Sequence, residues 1–108
     1  MSEDLIYSAK FYITNNYSSI RHLDEIARHL YCSYNTLRIQ FAKQNELTLR
    51  KYLNKYRCQK AAELLTMTDW KIYRVAEEVG FHNEKYFTKV FEKNFKYPPK
   101  KYRNLFRF

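Results

Sequence analysis

One glycine and two prolines are the only strong backbone breakers in this chain of 108 residues. That scarcity argues against hairpin-rich β architectures, which need turn formers at short intervals. Cysteine is scarce too: Cys32 and Cys58 are the only two. With no secretory leader pattern ahead of the first helical segment, a reducing, cytoplasmic compartment is expected. No apolar run approaches the roughly 20 residues that cross a bilayer, so a membrane role would have to be peripheral, and none is expected. Glycine-rich phosphate loops, G-x-S-x-G and His-Glu-x-x-His are all missing, so the chain is read as no enzyme, with no cofactor and no metal site.

Acidic residues are in deficit. Eleven Asp+Glu stand against twenty Lys+Arg, a formal net charge of +9, and such an excess attracts phosphate polymers or anionic surfaces. What remains is 45% hydrophobic and 29% charged, arranged in long periodic stretches. This describes a single all-α domain.

The periodicity predicts a first helix from Asp4 to Tyr17 carrying Ile6, Ala9, Ile13 and Tyr17. Leu23, Ile26, Ala27 and Leu30 predict a short second helix that stops around Tyr31-Cys32, and Ser33 is placed to cap a third carrying Leu37 and Phe41. A long helix follows from Leu49 to about Thr66, with Thr48 as its cap. Ile72, Val75, Ala76 and Val79 predict a fifth, ended by Gly80; Asn83 caps a sixth holding Phe87, Phe91 and Phe95. Pro99 suits the first position of a last short helix reaching Tyr102.

These elements repeat. Ile26-Ala27 corresponds to Val75-Ala76, Ser33 to Asn83, Leu37 and Phe41 to Phe87 and Phe91, and Tyr52 to Tyr102, the first turn being one residue shorter than the second. A short helix, a tight turn and a capped helix form a helix-turn-helix, whose second helix can enter the DNA major groove. Opposite Leu37 and Phe41 the third helix carries Asn35, Arg38, Ile39 and Ala42; opposite Phe87 and Phe91 the sixth carries Lys85, Thr88, Lys89 and Glu92. Arginine can bond bidentately to guanine, asparagine to adenine, isoleucine can meet a thymine methyl, and lysine can reach guanine or phosphate. Glu84 could accept from cytosine or simply favour the helix N-terminus, and Tyr34 opens the third helix within reach of DNA.

LDEIA followed by SYNTLRIQF, YLNKYRCQKAAELL, and above all IYRVAEEVGFHNEKYFTKVFEKNF followed by PPKKYR resemble the AraC/XylS family of bacterial transcription regulators. The resemblance runs over nearly the whole chain and is greatest to the stand-alone MarA, SoxS and Rob type. It implies about seven helices in two helix-turn-helix lobes: a first lobe over 1–47, a linker helix over 48–67 and a second lobe over 68–108. It implies that the third and sixth helices enter successive major grooves of double-stranded DNA. It further implies a bacterial, nucleoid-associated activator that binds an asymmetric promoter site as a monomer and recruits RNA polymerase. Base reading then falls on Tyr34, Asn35, Arg38 and Ile39, and on Glu84, Lys85, Thr88 and Lys89. Phosphate contacts are expected at Ser33, Asn83, Lys100, Lys101 and Arg103. With no sensing domain in view, no small-molecule effector is expected.

The chain departs from the family pattern in four places. Tyr31 stands where the family often has glycine in the first turn, Glu46 and Lys96 where it often has glycine after each recognition helix, and Ile39 in place of a common arginine. A left-handed tyrosine or lysine costs roughly 1 kcal/mol or more, which leaves a different geometry open for the first turn. The aromatic residues, 19% of the chain, fall mostly at core spacing, and His29 and Cys32 read as a packing histidine and a buried thiol. A different class of reading is a protein-interaction module that binds RNA polymerase or another regulator with only non-specific DNA affinity.

Overall fold

A computed structural model describes residues 2–107. Seven helices account for most of them, with no strand among the described residues: α1 (Ser2–Asn16), α2 (Asp24–His29), α3 (Tyr34–Gln44), α4 (Leu49–Met67), α5 (Ile72–Glu78), α6 (Glu84–Phe95) and α7 (Pro99–Phe106). The chain divides into two compact units, Met1–Leu53 and Asn54–Phe108. The boundary falls inside α4, so that helix belongs to both units.

Polar side chains start the helices where expected. Ser33 Oγ accepts from the Thr36 amide at 3.1 Å, Thr48 Oγ1 from Lys51 at 3.2 Å, and Asn83 Oδ1 from Tyr86 at 2.8 Å. Each satisfies an amide that the helix leaves unpaired, a contribution of about 1 kcal/mol. Pro99 occupies the first turn of α7, where its missing N–H costs nothing. α2 starts differently: Glu25 Oε2 accepts from the Arg21 and His22 amides at 3.0 and 2.8 Å.

In the first unit Ile6, Ala9 and Ile13 of α1 are buried with Ile26, Ala27, Leu37, Phe41, Leu49 and Leu53. In the second, Cys58, Ala61 and Leu65 of α4 are buried, as are Val75, Ala76, Phe81, Phe87, Phe91 and Pro99. The repeat holds at the level of ring contacts. Phe41 and Tyr52 meet edge to face with centroids 5.5 Å apart, and their counterparts Phe91 and Tyr102 do the same at 5.3 Å. Phenylalanines supply the fully buried aromatics, whereas Tyr7, Tyr31, Tyr73 and Tyr86 are exposed. The expectation that aromatic residues are mostly core therefore holds for Phe41, Phe81, Phe87 and Phe91 but not for these tyrosines, whose hydroxyls favour water.

The two turns share one geometry despite their different residues. The Cys32 N–H reaches back to the Ala27 carbonyl at 3.1 Å, and the Phe81 N–H to the Ala76 carbonyl at 2.9 Å. Tyr31 sits at φ 57 where Gly80 sits at φ 105. The first turn thus keeps the left-handed form, and the tyrosine side chain stands 97% exposed. The helices α3 and α6 end differently: Lys96 takes φ 74, whereas Asn45 after α3 is extended and Glu46 is not left-handed. Because a left-handed lysine is strained, Lys96→Gly is expected to stabilise the protein by about 1 kcal/mol. Urea unfolding checks this, and an unmoved midpoint would show that the strain is compensated locally.

Candidate nucleic-acid interface

Burying Leu37 and Phe41 turns the opposite side of α3 outward, so Asn35, Arg38 and Ile39 are exposed and Tyr34 is half-buried at the first position. Burying Phe87 and Phe91 does the same for α6: Glu84, Lys85 and Lys89 are exposed and Thr88 is half-buried. The eight side chains therefore lie on the outward faces of two equivalent, capped helices. Their chemistry differs between the two.

On α3, Arg38 Nη2 donates to Asn35 Oδ1 at 2.7 Å. That bond engages the oxygen that Asn35 would need to accept from adenine N6, so the two residues act as a pair. Asn35 orients the guanidinium, and the bond leaves other arginine N–H groups on the outward face of α3. Ile39 adds an apolar edge one residue on. On α6 no such pair occurs among the hydrogen bonds seen; instead Tyr86 Oη accepts from Asn54 Nδ2 of α4 at 3.1 Å.

The expected phosphate contacts sort into three kinds. Lys100 and Lys101 are exposed in the first turn of α7, with Lys101 Nζ 5.5 Å from the Tyr97 ring. Ser33 and Asn83 are exposed but engaged in capping, and the Ser33 hydroxyl also donates to Thr36 Oγ1 at 2.8 Å. That leaves the Asn83 amide N–H groups, and not the Ser33 hydroxyl, to donate outward. Arg103 is half-buried. Its Nε donates to the Leu65 carbonyl at 2.8 Å, and an Nη atom is buried. Burial, then the neighbouring Arg107 charge, hold it below the ordinary arginine range against the opposing pull of Asp69. Its Nε bond ties α7 to α4.

Two further cations hold equivalent positions. In the register that matches Tyr52 to Tyr102, Arg50 and Lys51 are the counterparts of Lys100 and Lys101, and both are exposed in the first turn of α4. Neither α4 nor α7 has an acidic residue in its first turn. Cations there oppose the helix dipole by about 0.3–1 kcal/mol, a cost that an anion lying against the turn would reverse. The tyrosine register was the signal that could have found them.

The remaining candidates carry no site. His29 is exposed with its ring 4.5 Å from Tyr12, and Cys32 is half-buried, not buried as expected. Cys58 is fully buried, and that burial pushes its thiol up to about 12, which suppresses thiolate chemistry. Among the described residues no group of three or more His, Cys, Asp or Glu could hold a metal ion, and no helix is long and apolar enough to cross a membrane.

Comparison with known proteins agrees with this geometry. Residues 26–105 match the helix-turn-helix domain family. The uncharacterized HTH-type transcriptional regulator YijO of Escherichia coli (strain K12) is 32% identical over 105 residues, which are 97% of this chain and 37% of that protein. The HTH-type transcriptional activator RhaR of Mannheimia succiniciproducens is 32% identical over 85 residues, 79% of this chain and 31% of that protein. Among solved structures, the C-terminal domain of AraT, a response regulator from Geobacillus stearothermophilus, superposes with a TM-score of 0.90 at 30% identity. The match covers 96% of this chain and 87% of that one. Two capped helices with outward polar faces, each after a left-handed turn, define a helix-turn-helix DNA-binding domain, and this chain belongs to the AraC-type family of such domains. It spans about a third of the length of the curated relatives it matches.

Proposed function

We propose that the chain is a sequence-specific double-stranded DNA reader that activates transcription, binding an asymmetric promoter site as a monomer and recruiting RNA polymerase. The observation that carries this reading is the contrast between two structurally equivalent faces: Asn35, Arg38 and Ile39 on α3, and Lys85, Thr88 and Lys89 on α6. Unlike faces on like scaffolds favour unlike half-sites, and hence one protein per asymmetric site. Activation is supported by the similarity to a protein named as a transcriptional activator. The test is selection from random duplex DNA near physiological salt. The expected product is an asymmetric motif with two unlike boxes. A palindrome, or no motif at all, would overturn the reading, the latter leaving a protein-interaction module with non-specific DNA affinity.

Two substitutions sharpen the assignment. Arg38→Ala is expected to cost roughly 1–3 kcal/mol and to relax discrimination in one box only. Because Asn35 holds Arg38, Asn35→Ala should relax the same base positions, and the double variant should lose less than the sum. Full additivity in competition binding would separate the pair. By contrast, Lys101→Ala and Arg50→Ala should weaken all sequences alike and each lower the salt-dependence slope by about 1. A box-specific loss from either would remove it from the phosphate set.

A further inference from the structure

Arg57 is the one buried charged side chain among the described residues, 7% exposed. Its place explains more than its charge does. A Cβ built on Gly80 would lie 2.8 Å from Arg57 Nε and 2.9 Å from Cζ and Nη2, so the guanidinium packs directly on the turn between α5 and α6. Its Cζ is 5.7 Å from the centroid of Phe81, the next residue. Phe81 in turn has ring centroids 5.1 Å from Phe87 and 6.0 Å from Tyr86, both on the first turns of α6. One helical turn before Arg57 on α4, Asn54 holds the Tyr86 hydroxyl directly. A planar, delocalised cation can lie flat on a backbone turn and an aromatic face together, which a lysine ammonium cannot do.

We infer that Arg57, packed on the Gly80 turn and seconded by the Asn54–Tyr86 bond, is a positioning residue that sets the angle at which α6 meets DNA. Arg57 touches no base. It acts through the turn, and Gly80 is required there both by its φ of 105 and by the guanidinium that occupies the space of a side chain. The consequence is a specificity determinant for the half-site read by α6, located on a helix outside the recognition motif. This rests on the proposed reading of two boxes.

The experiment is competition binding of the full chain to duplexes in which one box or the other is scrambled. The α6 box is the one whose discrimination Lys85→Ala relaxes. Arg57→Lys keeps the charge and the stem but loses the plane. It is expected to lower discrimination at the α6 box by about tenfold, while leaving the other box within about twofold and the salt slope unchanged. A merely structural weakening would lower both boxes together, or neither. A folded Arg57→Lys that keeps full discrimination at the α6 box, or loses it equally at both, overturns the inference. If Arg57→Lys does not fold, Tyr86→Phe and Asn54→Ala decide, since both sit outside the fully buried core. A several-fold loss confined to the α6 box supports the positioning role, and unchanged discrimination in both overturns it. A wild type that selects no motif overturns the two-box reading and this inference with it. An intact wild-type motif with indifferent variants overturns this inference alone.

Discussion

Gly80→Ala is expected to destabilise the second unit by about 2–5 kcal/mol, a fall in Tm of roughly 10–25 °C. Two separate causes add. The backbone at φ 105 lies where a Cβ collides with its own chain, a cost of about 1–2 kcal/mol. The new methyl must also displace the Arg57 guanidinium, 2.8–2.9 Å away, from a buried seat, and such overpacking costs about 1–3 kcal/mol. The causes can be told apart by urea unfolding. In an Arg57→Ala background the methyl meets no guanidinium, so Gly80→Ala should there cost only the backbone part, about 1–2 kcal/mol. Equal costs in the two backgrounds would remove the guanidinium from the explanation and leave only strain.

The matching position in the first unit shows how context overrides local preference. Tyr31 accepts φ 57 with its side chain in solvent, because the hydrogen bond from Cys32 to Ala27 and the buried pair Ile26-Ala27 fix where the chain must go. A local rule on left-handed residues left that turn open; the repeat register would have closed it. The caps Ser33, Thr48 and Asn83, the core phenylalanines and the outward faces of α3 and α6 were all legible, since each follows from side-chain chemistry at helical spacing.

Three features were not legible, and all depend on where long side chains go. Arg57 counted in the sequence as one more cation, although Leu53, Arg57, Ala61 and Leu65 recur every fourth residue and are all buried. Spacing alone marks Arg57 as inward, but the penalty on burying charge argues the reverse, and only the space above Gly80 resolves the conflict. Arg103 sits among basic neighbours in the sequence, yet its Nε turns to the Leu65 carbonyl. The Asn35–Arg38 pair is a matter of rotamers on neighbouring helical positions, which residue spacing permits but does not choose.

The largest loss is expected from Phe91→Ala, about 3–5 kcal/mol. Phe91 is fully buried, and its ring is the hub of the second unit: centroids lie 4.8 Å from Phe95, 5.3 Å from Tyr102 and 5.7 Å from Phe87. Truncation leaves a hole walled by rigid rings on α6 and α7, which cannot collapse as flexible aliphatic side chains would, so the cavity term should be near its upper range. Small domains hold only about 5–15 kcal/mol in total, so the variant should be partly unfolded at 37 °C. Phe91→Leu, which keeps most of the volume, should cost only about 1–2 kcal/mol. Phe41→Ala, at the equivalent position with its own edge-to-face partner Tyr52, tests whether the repeat extends to energetics, with an expected loss of the same order. Chemical denaturation of the three variants checks all of this. A Phe91→Ala loss below about 1 kcal/mol would mean that the ring column does not hold α6 in place, and the outward face that the column presents to DNA would need another support.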